Sequence, residues 1–522
     1  MNPRRALVAL GLSTSLLLTA GVSAASTAQE NDEIELVPFE STLLELSGVV
    51  PAGWTDAGRG IFTRADSPTD LAFVAQQSAP VGLEQIWPAI LPQLGLSEVP
   101  TVDETRSSDA FDWQIYRVDV PAPARSVSVA LSEQDGRSYI AMLTSAPEEH
   151  TSLVASVFDP VVEAMAPLAV DMPVADDPVD YVVEEVTFPG GSDAVVLAGT
   201  LTLPAGDGPH PVIVLLNGSG GQDRDSSFRP LTELAPFADL ADAFTSAGVG
   251  VLRYDDRGVA GSSGDYGDAT VADLTEDASS ALDYLVTRSD VDAGRMGLLG
   301  HSEGAVYTAS LAADDPRVSF AISLAGPAVD GISAIDDQQI AILRSMELPD
   351  DYVERLVPLN SKARDEVYEG DLETAEGTLR ELFGLVYDEQ TEAVREALGE
   401  RDGYVDFQVE RALLVLDNDW VRSFLAIDPG EDWARVTIPV LALFGGKDLQ
   451  VLAEQNEPAL RAALEAAGNA DHEIVVLPDA NHLLQDAETG SLSEYGTLAP
   501  ELTPELIPIL VDWLTERAGV AE

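Results

Sequence analysis

The spacing of hydrophobic and polar positions changes character along this chain. Short runs in which every second residue is apolar, at 60–63, 71–76, 111–120, 126–131 and 138–144, predict strands. Apolar positions at helical spacing over 83–94 and 148–165 predict helices, the second kinked or interrupted at Pro160, which has no N–H to give. Residues 47–54, with Gly48, Pro51 and Gly53, read as turn-rich. Residues 29–168 are thus expected to form a small α+β unit, and 169–180, with Pro173 and Pro178 among several acids, an extended linker.

From Tyr181 to the end (residues 181–522) strands and helices alternate. Residues 182–188 and 195–203 suit an opening antiparallel pair, and 212–216, 249–254, 296–299, 318–324, 438–444 and 473–477 suit buried strands. Helical patterns fall at 272–287, 302–313, 454–467 and 504–517. Alternation of this kind predicts an α/β fold: a mostly parallel sheet with helices on both faces. Residues 329–433 interrupt it with a helical, acidic stretch rich in Leu and Arg. An insertion at a strand's carboxyl end lies over the crevice where such sheets bind ligands, so it is expected to be a lid.

Residues 1–28 have the layout of an export signal: Arg4 and Arg5, an apolar stretch over 6–20, then Val22-Ser23-Ala24 as a cleavage site. An uncleaved anchor is the alternative, but the run is short for a membrane span, and no later segment is long and apolar enough for one.

At 522 residues the chain exceeds one ordinary core, and 45% hydrophobic residues suit globular domains. Asp and Glu total 90 against 28 Lys plus Arg, a formal net charge of −62. Such a field repels phosphate backbones and argues against a nucleic-acid partner. It suits either a high-salt habitat, where self-repulsion is screened, or a compositional drift without functional meaning. The absence of cysteine removes disulfides and thiolate metal sites.

The pattern Gly300-His301-Ser302-Glu303-Gly304 follows a strand and opens a helix. In so tight a turn the flanking glycines relieve backbone collisions, leaving Ser302 exposed at a helix N-terminus whose dipole favours an oxyanion. The chain has five histidines. His150 lies in the other unit, His210 and His472 open strands at the far end of the sheet, and His301 beside the serine suits packing or the rim. His482 falls in the loop after the last strand, where a general base belongs. Asp448 follows the strand at 438–444 and is favoured over Asp479 and Asp486 as the acid that orients His482, because local loop spacing rarely aims a carboxylate at the required ring nitrogen. The glycine-rich Asn217–Asp225 loop would bring an oxyanion donor from the N–H of Ser219 or Gly220, with Glu303 supplying the second.

These residues resemble the α/β-hydrolase superfamily, and most of all bacterial serine carboxylesterases with an Asn-Gly-Ser-Gly-x-Gln-Asp-Arg-Asp loop. That loop is Asn217 to Asp225 here, and Arg253-Tyr254-Asp255-Asp256-Arg257-Gly258 with Gly261-Ser262-Ser263-Gly264 also fits, as does the Gly300–Gly304 turn. The resemblance covers Tyr181 to the C-terminus. It implies an α/β-hydrolase fold with a helical lid, and hydrolysis of short or medium acyl esters through an acyl-enzyme, with a small-molecule ester as substrate and no metal or organic cofactor. A peptidase of the prolyl-oligopeptidase type, a thioesterase or acyltransferase, and a non-catalytic exported binding protein on the same scaffold are the competing readings; no propeller-like repeat precedes the catalytic unit.

Overall fold

The computed structural model describes residues 34–168 and 181–520, apart from short stretches at 42–43, 57–59, 65–69, 71, 80–81, 92–95, 97, 122–123, 135–136, 193–194, 229–231, 233 and 347. The expected signal (1–28) and linker (169–180) lie outside the described residues.

Residues 34–168 build an antiparallel sheet whose strands lie in the order Thr55–Asp56, Ile61–Thr63, Phe73–Ala79, Arg137–Ser145, Ala124–Gln134, Asp112–Pro121 and Glu104–Ser107. One face buries Ile115, Leu143, Trp113 and Phe158, and the other packs Val127, Val129 and Leu131 under the helix Leu83–Ile90. A small second sheet pairs Leu36–Ser41 with Leu46–Pro51. This corrects the turn-rich reading of residues 47–54: most of them are strand. Gly48 is there for space, since a Cβ would stand 2.1 Å from Gln76 Oε1. The helical stretch near Pro160 continues through a π-turn at Val154–Phe158 between the helices Pro147–Leu153 and Asp159–Ala164, so the irregularity precedes the proline.

Residues 181–520 form an eight-stranded sheet: β1 Tyr181–Pro189, β2 Val196–Pro204, β3 His210–Leu216, β4 Gly250–Tyr254, β5 Val291–His301, β6 Val318–Leu324, β7 Val440–Gly445 and β8 His472–Leu477. Their order is β1-β2-β4-β3-β5-β6-β7-β8, with β2 antiparallel to both its neighbours, β1 and β4, and every pair from β4 onward parallel. Alternation along β3 shows why both faces are covered. Val212, Val214 and Leu216 enter one core, and Ile213 and Leu215 the other. Helix α1 (Pro236–Ser246), absent from the sequence expectation, covers the second face. Helices α2 (Val271–Val286) and α3 (Gly304–Asp314) cover the first. Each fully buried Leu, Val, Ile or Phe here contributes about 1.5–3 kcal/mol.

Between β6 and β7 the insertion folds as α4 Gly331–Ser345, α5 Asp350–Tyr368, α6 Leu372–Asp388, α7 Glu392–Leu398, α8 Arg401–Leu416, α9 Asp419–Leu425 and α10 Pro429–Trp433. Its middle has a core of its own around Leu356, Leu379, Phe383 and Val409. Its two ends, through Ile335 of α4 and Trp420, Phe424 and Leu425 of α9, join the core of the sheet instead. Asn418 fixes where α9 begins, accepting from the Val421 N–H at 2.8 Å. After β7 come α11 (Ala453–Ala466) and, beyond β8, α12 (Leu506–Arg517), which lies on the α1 face.

Candidate active site

Three sheet strands end at one place. β5 runs into Ser302, whose φ of +54° is a left-handed conformation that a residue with a side chain adopts only under constraint. The Ser302 N–H donates to Leu324 O at 2.9 Å, tying the turn to the end of β6. A Cβ on Gly300 would stand 2.1 Å from Gly304 O, and one on Gly304 2.2 Å from Leu216 O. No side chain fits at either position.

The loop after β8 is folded on its own polar groups. Buried Asn481 accepts through Oδ1 from the N–H of Leu483 (2.9 Å) and of Gln485 (3.0 Å), which turns His482 toward the sheet's carboxyl edge. There His482 Nε2 lies 3.1 Å from Ser302 Oγ, and its Nδ1 lies 2.8 Å from Asp448 Oδ2. Asp448, 4% exposed in the turn after β7, is itself aimed by two backbone donors on Oδ1, from Gln450 (2.7 Å) and Val451 (2.9 Å). An ionised carboxylate only accepts, so Nδ1 must carry the proton, and Nε2 presents its lone pair to the Ser302 hydroxyl. The other two acids point elsewhere. Asp479 pairs with Lys447 at 3.0 Å, and Asp486 is exposed.

The glycine-rich loop after β3 is held by the second sequence motif. Asp256 Oδ2 accepts from the Gln222 N–H at 2.8 Å, and Asn217 Nδ2 donates to Asp223 O at 3.2 Å. Buried Asp255 takes the Arg224 N–H at 2.9 Å and its guanidinium at 2.8 and 3.0 Å. One expectation is corrected here: the Gly220 N–H donates to the buried Tyr266 hydroxyl at 2.9 Å and is not available to a substrate oxygen. Ser219 and Glu303 do line the cavity that holds Ser302 and His482. Among the described residues neither of their backbone N–H groups has an acceptor.

His301 was expected to pack or to stand at the rim. It is 7% exposed, and its Nε2 donates to the His482 carbonyl at 2.9 Å, bracing the His482 loop from below. Burial, with the neighbouring His482 ring, lowers its pKa from 6.5 to about 4. Only its adjacency to Ser302 hinted at this; the contact to a loop 181 residues away has no local signature.

The cavity above Ser302 measures about 70 Å³. Ile335, Gln338, Trp420 and Phe424 of the helical insertion wall it, the last two stacked at 5.4 Å between ring centres. Apart from Glu303 and His482, its lining carries no acidic or basic side chain. Among the described residues no group of three or more His, Cys, Asp or Glu is arranged to hold a metal ion, and no helix is long and apolar enough to cross a membrane.

A mostly parallel sheet with a serine on a strained strand-to-helix turn, a histidine beyond the last strand and a helical insertion overhead defines the α/β-hydrolase fold. Residues 213–490, more than half of the chain, match the alpha/beta hydrolase family, and the chain belongs to that family. It is 29% identical over 318 residues to Esterase EstD of Thermotoga maritima, an alignment spanning 61% of this chain and 64% of that protein. An uncharacterized 31.7 kDa protein of Escherichia coli is 28% identical over 290 residues, which span 55% of this chain and 88% of that one. Among solved structures, an esterase of Pyrococcus furiosus overlays 65% of this chain and 92% of its own, with a TM-score of 0.39 and 13% identity.

Proposed function

We propose that this hydrolase is a serine esterase acting on carboxylic esters of short or medium acyl chain through an acyl-enzyme. The observation that carries the reading is the continuous line from Asp448 through His482 to Ser302, at 2.8 and 3.1 Å, opening on a cavity. His482 takes the Ser302 proton as Oγ attacks the ester carbonyl carbon. The N–H groups of Ser219 and Glu303 receive the oxyanion, and the resulting imidazolium, held by Asp448, protonates the departing alcohol. Water, deprotonated by His482, then releases the acid and restores Ser302. The relation to a protein named as an esterase supports the substrate class. Apolar walls from Ile335, Trp420, Phe424 and Val451 support an acyl group as what the cavity holds.

In the same reading residues 1–28 are a cleaved export signal, residues 29–168 an accessory unit, and 329–433 the lid of the catalytic unit 181–522. Intact mass of the protein recovered outside the producing cell tests the first point; a retained residue 1 counts against export by cleavage. The chemistry is tested by steady-state hydrolysis of p-nitrophenyl esters from acetate to dodecanoate, with Ser302→Ala run alongside. Turnover greatest on the shorter chains and lost in the variant is the expected result. Equal activity of the two proteins removes Ser302 as nucleophile.

A further inference from the structure

The residue after the nucleophile carries a carboxyl that this scheme does not use. Glu303 stands at the first position before α3 without making a side-chain cap bond, and it is 2% exposed. Its Oε1 accepts from the indole Nε1–H of Trp420 on lid helix α9 at 2.9 Å, a buried bond joining residues 117 apart in the chain. Its Oε2 is buried with no partner. Tyr307, one turn along α3, turns its buried hydroxyl toward this carboxyl, close enough to favour its charge though not aligned for a hydrogen bond. From the segments after β4 come Asp256 and Tyr266, and across the cavity stand Ser302 and His482. No arginine or lysine is among the groups acting on it. A charge on Glu303 would therefore sit among three aromatic residues and a second buried acid, with one indole N–H and one tyrosine hydroxyl to steady it. Burial accordingly raises its pKa from 4.5 to about 7, against the opposing pull of the Tyr307 hydroxyl and the Trp420 indole N–H.

We propose that Glu303 is a positioning residue that serves the reaction only as the neutral acid. Its carboxyl fastens the lid to the nucleophile turn through Trp420, and its ionisation sets a negative charge beside the oxyanion that its own backbone N–H receives. The proposal rests on Ser302 being the nucleophile. The sign follows from the geometry. A neutral carboxyl leaves the oxyanion site positive in character at the α3 N-terminus, whereas a carboxylate in the same residue cancels that field. The activity profile then has an alkaline limb that belongs to Glu303.

The test is kcat/KM for p-nitrophenyl acetate between pH 5 and 10 at constant ionic strength, for the wild type, E303Q and W420F. Each profile is normalised to its own maximum, so that shape rather than height is read. The wild type is expected to fall from just above neutrality by about tenfold for each further pH unit. E303Q keeps an acceptor for Trp420 and has no proton to lose, so its alkaline side is flat. W420F removes the donor that favours the carboxylate, so its fall moves about one unit higher. An E303Q profile that superposes on the wild type overturns the proposal, as does a W420F limb that stays or moves lower. W420F alone decides the matter should E303Q fail to fold. Wild-type turnover with a flat alkaline side sinks this inference and leaves the esterase reading standing; absence of wild-type turnover on every ester sinks both.

Discussion

His482 and His150 are both held through both ring nitrogens, one at the carboxyl edge of the parallel sheet and the other in the antiparallel unit of residues 34–168. His482 lies between Asp448 and Ser302 at 2.8 and 3.1 Å; His150 lies between Ser145 and Ser128 at 2.8 and 2.9 Å. By distance alone the two are equivalent. They differ in what the partners can do. A carboxylate on Nδ1 fixes the tautomer and stabilises an imidazolium, and a serine hydroxyl does neither. Burial lowers the His150 pKa, so that ring resists becoming the cation a general base must become. Ser302 stands at a strained turn before a helix and opens on a cavity, while Ser128, 0% exposed, points from the middle of the strand Ala124–Gln134 into protein. A serine hydrogen-bonded to a histidine is therefore a packing device unless a carboxylate, a helix terminus and an approach for substrate come with it.

The sharpest way to break this comparison is to remove each serine. Ser302→Ala should lower kcat on p-nitrophenyl acetate by about four to six orders of magnitude. Ser128→Ala should leave it within about twofold. A loss of turnover in the second variant comparable to the first would mean that the antiparallel unit carries chemistry. Next in size is the carboxylate. Asp448→Asn should lower kcat by about 10⁴, because an amide can donate to Nδ1 and turn the ring to the wrong tautomer. Retained activity would assign the orienting role to another acid.

A smaller effect separates His301 from its neighbour. Its pKa is depressed from 6.5 to about 4, so between those values the unfolded chain binds a proton that the folded one refuses. Stability from this group is present in full above pH 6.5 and is lost as pH falls toward 4, by roughly 3 kcal/mol in all. His301→Gln keeps a donor for the His482 carbonyl and does not titrate. Chemical denaturation at several pH values should show the wild type losing more stability on acidification than the variant; parallel curves would mean that His301 takes its proton without unfolding.

How much of this was legible in the sequence depends on how far apart the interacting parts lie. The order of strands and helices from Tyr181 onward was legible because buried parallel strands are short apolar runs and their helices are amphipathic. The convergence of Ser302, Asp448 and His482 was legible for a related reason: each follows a strand at its carboxyl end, and in a parallel sheet those ends meet. Contacts with no periodicity were not. That Tyr266 takes the Gly220 N–H depends on how a loop 46 residues later folds back. That Trp420 reaches Glu303 depends on where α9 lands on the sheet, which the insertion's composition does not state. The strand Leu46–Pro51 was hidden by Gly48, a residue chosen for the Gln76 side chain that lies against it rather than for a turn.

The smallest expected effect returns to His150. Ser128→Ala removes one hydrogen bond from a ring that keeps its other partner in Ser145 and is only half-buried, so solvent can reach part of what is exposed. The cost should be about 1 kcal/mol, at the ordinary net value of one such bond rather than the larger penalty of an orphaned group. Trp113, 1% exposed in the core of the same unit, gives the probe when its 5-fluorotryptophan resonance is resolved from those of the other five tryptophans. Its transition in urea should shift to lower denaturant with the slope unchanged. Ester turnover measured below that transition should match the wild type. If turnover falls while the Trp113 transition stays in place, the two regions are coupled through something other than stability, and the antiparallel unit is part of the working site. If the transition shifts alone, the second serine–histidine pair is a structural joint, and its likeness to the first ends at distance.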